Sequence, residues 1–103
     1  MLLITKTIQA EEDLIEIWVN IAGDNVPAAD NLLDRFERVF STLTTMPEMG
    51  TVVKGLEKRW LGKLMRFFPV DDYIIFYHIT DESVHIVRVI HAALDYTRVF
   101  KRH

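Results

Sequence analysis

The residues best suited to chemistry in this chain stand toward its C-terminal end: Arg66 and Arg88, then His91, Asp95 and Tyr96. A histidine takes and gives protons near neutral pH, arginines hold charge that develops on oxygen, and a nearby carboxylate can orient the imidazole. The same residues have structural uses. Arg88 lies in an apolar run, where pairing with a carboxylate is ordinary, and a His91–Asp95 hydrogen bond would fix the last strand to the tail. The absence of cysteine excludes a thiolate nucleophile and disulfides. His78, His85, His91 and His103 lack the spacing of a short metal motif, so no metal or cofactor is expected.

A second chemistry is charge itself. The chain has 103 residues, expected to form one domain, and a net charge of −3 that is unevenly spread. Residues 1–50 carry nine acids and three bases, whereas residues 51–103 carry six acids and nine bases. Lys54, Lys58, Arg59, Lys63 and Arg66 crowd one stretch, with Trp60 among them, and Arg98, Lys101 and Arg102 end the chain. Trp60 is either a core residue over the end of the sheet or an anchor for a partner, because aromatic and arginine side chains concentrate binding energy. The dipolar pattern suits partners of either sign; direct sequence-specific nucleic-acid binding is not expected.

Six elements must position these groups. "LLITKT" at 2–7 predicts a first strand, and Thr7 or a neighbour caps the helix that follows. That helix runs to about Ala22, with Ala10, Leu14, Ile17, Trp18 and Ile21 on one face and Glu11, Glu12 and Asp13 near its amide end. "GDNVP" breaks it, and a second helix begins near Asn25 and Pro27. It buries Leu32, Leu33, Phe36, Val39, Phe40 and Leu43, and Pro47 with Gly50 stops it. The two helices form an antiparallel hairpin whose apolar stripe needs a cover.

The cover is a sheet. "LMRFF", "YIIFYHI" and "VHIVRVIH" predict three consecutive antiparallel strands. Ile74, Phe76 and His78 face one side and Tyr73, Ile75, Tyr77 and Ile79 the other, so the hairpin covers one face and other elements part of the second. The first strand joins this sheet, plausibly beside the last strand. Residues 51–60 fit loop, short strand or single turn. The expected fold is α+β, in the order β-α-α-β-β-β. Acidic residues come too early for a signal peptide and no run spans a membrane, which makes the cytoplasm the expected compartment.

"AEEDLIEIWVNIA", "AADNLLDRFERVFSTLTTMPEMG", "LMRFFPVDDYIIFYHI" and "VHIVRVIHAALD" together resemble the ParE-type toxins of bacterial toxin-antitoxin pairs, within the ParE/RelE superfamily. The likeness rests on Asp-Leu in the first helix, Pro and Gly after the second, an Arg before a Tyr-x-x-x-Tyr strand, and a last strand ending in His then Asp. It implies a growth-inhibiting toxin that packs a helical hairpin on a small antiparallel sheet. It also implies plasmid stabilisation, and a small ParD-like antitoxin whose C-terminal segment wraps the toxin. ParE-type members act on DNA gyrase; RelE-type relatives cut messenger RNA, often on the ribosome.

RNA cleavage would need a base, an acid and cations against phosphate. Carried over by register, the positions at which RelE-type toxins hold two arginines and a tyrosine are Ile74, Leu94 and Phe100, which cannot serve. The resemblance therefore implies an inhibitor with no catalytic residue, and RelE-like cleavage is the alternative. The chain also departs from the ParE-like ending His-Gly-x-Arg-Asp, reading "HAALD" with Ala92 and Leu94 in place of the glycine and arginine. The expected partner-binding residues are Lys58, Arg59, Trp60, Lys63, Arg66, Arg98, Lys101 and Arg102. An antitoxin would lay an amphipathic helix in an apolar groove and an extended acidic segment along a sheet edge. Any exposed apolar stripe would be buried by that antitoxin or in a homodimer. The same grooves would serve a non-toxic binding module, the third reading.

Overall fold

The computed structural model describes residues 1–55 and 62–94. Its first strand, β1 (Leu3–Lys6), leads into helix α1 (Ile8–Ala22), and α2 (Val26–Thr45) follows. Thr7 starts α1 in two ways: its hydroxyl accepts from Ala10 N–H at 2.9 Å and donates to Val87 O at 2.8 Å. One side chain thus caps the helix and ties it to the sheet. Asn25 caps α2 by accepting from Ala28 N–H at 3.0 Å, with Pro27 in the first turn, where a missing N–H costs nothing. A 3₁₀ turn at Pro47–Met49 ends the helical half.

The remaining strands are β2 (Thr51–Val52), β3 (Arg66–Val70), β4 (Tyr73–Ile79) and β5 (Ser83–His91). They build a five-stranded sheet in the order β1-β5-β4-β3-β2. The α+β order and the three-strand meander agree with the sequence reading, and β1 lies beside the last strand. Two details are new. β1 runs parallel to β5, which makes the sheet mixed, and the span 51–60 begins with a two-residue strand on β3. The run "LMRFF" also begins pairing only at Arg66 and continues through Pro69, opposite Ile74, to Val70. β2 reaches only Arg66 and Phe67, so this part of β3 is an edge, where proline is tolerated.

Alternation along β4 works as the pattern predicts. Ile75 and Tyr77 join Leu14, Phe36, Phe40, Val84 and Ile86 in the core beneath the helices. Phe76, with Val53, Met65, Val87 and Ile90, forms a second cluster, against which Ile74 packs. Alternation lets β5 serve both clusters, and a bulge shifts its parity, so that Val84, Ile86 and Val89 join the first and Val87 and Ile90 the second. Phe76 pairs with Arg88 and Tyr77 with Ile86, leaving Val87 as the extra residue.

Candidate functional site

Beyond Lys6, β1 no longer covers the outer edge of β5, and a carboxylate takes its place. Asp13 of α1 accepts from Val89 N–H at 3.0 Å and receives Arg88 through both Nε (2.8 Å) and Nη2 (3.1 Å). Gln9, one turn earlier, donates to the same carboxylate at 3.3 Å. The sequence reading put Asp13 near the amide end of the helix. Because α1 begins at Ile8, Asp13 falls in the second turn on the buried side, 8 % exposed, and its work is with the sheet. The signal was present: a carboxylate between Ala10 and Leu14 on an apolar face must find a cation or amide partner.

A cavity of about 270 Å³ opens beside this pair, lined by Glu16, Tyr73, Arg88, His91 and Leu94 among others. His91 stands edge-on to Tyr73, ring centroids 5.2 Å apart, and its Nδ1 accepts from Ala93 N–H at 3.0 Å. In the neutral ring the proton is therefore on Nε2. Arg88 and His91 are brought together here, but Arg88 is already claimed by a carboxylate. Asp95 and Tyr96 lie outside the described residues. Arg66 does not join them: it pairs with Tyr77 on β4, whereas His91 pairs with Tyr73 at the other end of that strand.

Arg66 serves a different junction. Its Nη1 donates to Gly50 O at 2.9 Å and to Glu48 O at 3.4 Å, and its side chain is only 15 % exposed. Tyr77 completes the lock, donating its phenol to Pro47 O at 2.7 Å and accepting from Gly50 N–H at 2.8 Å. Burial pushes the Tyr77 phenol up from its ordinary pKa; the Gly50 N–H and the Arg66 charge pull the other way. Gly50 must be glycine at this point. A Cβ there would fall 2.7 Å from Tyr77 Cε1 and 2.9 Å from Phe67 O.

Of the other expected binding residues, Lys63 is exposed beside Leu64, which is 47 % exposed. Val53 N–H donates to Met65 O at 2.9 Å, and both side chains are buried. That anchored base carries Lys54 and Lys63 outward, with Gly55 and Gly62 at positive φ beside them. Lys58, Arg59, Trp60, Arg98, Lys101 and Arg102 lie outside the described residues. Ile74 is half-buried on the second cluster and Leu94 is 54 % exposed, while Phe100 is outside the described part.

One constellation escaped the sequence reading. His78 and His85, scattered in sequence, are direct cross-strand partners with ring centroids 5.1 Å apart. His85 Nδ1 is 2.6 Å from Thr5 Oγ1, while His78 Nδ1 is buried without a hydrogen-bond partner among the described residues. Burial, then the neighbouring His85 and Lys63 charges, pulls the His78 pKa below its ordinary value. Only the register of β4 against β5 reveals this pair. Among the described residues no group of three His, Cys, Asp or Glu side chains could hold a metal.

A family model described as the ParE toxin of type II toxin-antitoxin system, parDE, matches residues 4–96. No curated protein matches the sequence. Among solved structures, the chain is similar to one from the chromosomal ParDE TA system of P. aeruginosa. That match has a TM-score of 0.68 at 15 % identity and covers 88 % of this chain and 96 % of that one. At this identity the likeness speaks to the fold.

Proposed function

The chain belongs to the ParE toxin family of type II toxin-antitoxin systems, and from that premise we propose that it arrests growth by binding DNA gyrase stoichiometrically and is neutralised by a cognate antitoxin. It acts in the cytoplasm and performs no catalysis; no helix among the described residues is long and apolar enough to cross a membrane. An inhibitor of this kind needs no turnover. It has to hold one working state of the topoisomerase so that cleaved DNA persists.

The observation that carries this reading is the fate of Arg88. A nuclease needs cations free to meet a phosphate, but the guanidinium that lines the same cavity as His91, that of Arg88, is held on both Nε and Nη2 by Asp13. Ile74 and Leu94 stand where RelE-like register would want cations. The exposed Lys54 and Lys63 beside Leu64 support a protein-binding surface on the basic half.

Induction in bacterial cells, with and without the small gene encoded beside it, tests the proposal. Arrest relieved by the neighbouring gene, with intact messages, is the expected result. Codon-biased or ribosome-dependent message cleavage would replace it with the nuclease reading, and unimpaired growth with soluble protein present would favour a non-toxic binding module.

A further inference from the structure

Helix α1 is apolar on two opposite faces, and among the described residues one of them stays exposed. At about 100° per residue, Ala10, Leu14, Ile17 and Ile21 point to the core, whereas Ile8, Ile15 and Val19 fall within about 40° of one another on the far side. Those three are 77 %, 64 % and 54 % exposed. The stripe runs about 16 Å along the helix at 1.5 Å per residue. Ile15 also borders a groove of about 320 Å³ shared with Leu14, Trp18 and Leu33 of α2. Single exposed aliphatic residues are ordinary; a stripe continuous with an apolar groove marks a surface that something covers.

The charges around it select the occupant. α1 contains Glu11, Glu12, Asp13 and Glu16 and neither lysine nor arginine. Asp13 is buried on Arg88, leaving the three glutamates exposed. Across the groove α2 adds Asp30, which receives the Trp18 indole N–H at 2.8 Å, and the exposed Glu37. A second copy seated stripe to stripe would bring the three exposed glutamates of each copy together with no α1 base between them. Like charges juxtaposed this way disfavour a homodimer on this face, and basic flanks on a different partner would be favoured.

We infer that the outer face of α1 docks a basic amphipathic helix of a partner protein, with aliphatic residues against Ile8, Ile15 and Val19 and Lys or Arg beside Glu11, Glu12 and Glu16. This rests on the toxin-antitoxin reading above, in which the antitoxin supplies the helix. It asks for basic chemistry on the acidic half of the chain, distinct from the acidic segment expected against the basic half.

The test is calorimetric titration of the full chain with the antitoxin encoded beside it, at low and high salt. Ile15→Asp and Val19→Asp each weaken binding about tenfold or more. The double variant Glu12→Lys with Glu16→Lys also weakens it about tenfold and flattens its salt dependence. All four positions are exposed, and unchanged circular dichroism verifies folding. Unchanged affinity in every variant overturns the α1 site and leaves the toxin-antitoxin reading standing. Charge reversals that leave binding alone or tighten it overturn the basic occupant. Absence of binding by the unaltered chain overturns both.

Discussion

Asp13 and Arg88, separated by 75 positions in sequence, meet through two nitrogens of the guanidinium while the same carboxylate takes the Val89 N–H. One buried side chain thereby joins the second turn of α1 to the sheet where β1 has ended. Removing it strands a cation and a backbone donor together. Asp13→Ala should cost about 3 kcal/mol of unfolding free energy, and Arg88→Met less, because the latter leaves Asp13 with Val89 N–H and Gln9. Urea denaturation of both variants measures the difference; equal, sub-kilocalorie effects would show that the pair contributes little.

Tyr77 and Gly50 should behave as one unit. Tyr77→Phe removes the hydroxyl that serves Pro47 O and Gly50 N–H, at a cost of about 2 kcal/mol. Gly50→Ala forces a Cβ toward the same phenol, and the two changes together should cost clearly less than their sum, because the hydroxyl contact is absent from the double variant. A strictly additive double-mutant cycle would contradict this coupling.

Stability should fall on the acid side through His78. Its pKa in the folded protein lies below the ordinary 6.5, so between the two values the unfolded chain binds more protons than the folded one. Stability is therefore full above about pH 6.5 and declines as the pH drops toward the folded value. The groups facing His78 are His85, across the strand, and Lys63, and both oppose its protonation. Comparing urea midpoints at pH 7.5 and pH 5.5 should give a larger drop for the native chain than for His78→Gln. Identical pH dependence in the two would exclude His78 as a cause.

The turn between β3 and β4 holds a smaller conflict. Asp71 sits at φ 53° while its carboxylate receives Arg35 Nε at 2.8 Å, tying the turn to α2. Asp71→Ala keeps the unfavourable backbone and loses the pair, costing about 1 kcal/mol, whereas Asp71→Gly should be close to neutral because relieved strain offsets the exposed ion pair. Thermal unfolding of the two variants would decide; alanine matching glycine would mean that φ is no burden here.

These interactions show where the sequence was legible. Helical spacing from Ala10 to Ile21 and from Leu32 to Leu43, and alternation across Ile74 to Tyr77, carry the fold because burial enforces both periods. Thr7 was readable as a cap, and Asn25 with Pro27 as the start of the second helix. A carboxylate was the ordinary partner expected for Arg88, but Asp13 was read only as a charge at the amide end of α1, since nothing local in either segment names the other. The outer stripe of α1 was hidden for a related reason: a search for one apolar face stops when Ala10, Leu14, Ile17 and Ile21 have supplied it. The His78–His85 pair depends on register across β4 and β5, which a bulge at Val87 shifts by one residue.

Inhibition by binding can be tested with purified gyrase. Titrating the chain against gyrase and supercoiled plasmid should accumulate cleaved DNA up to about one chain per gyrase site and then plateau, while messenger RNA added to the same tube stays intact. Loss of the RNA, or no effect on gyrase from folded protein that still binds its antitoxin, would contradict the account.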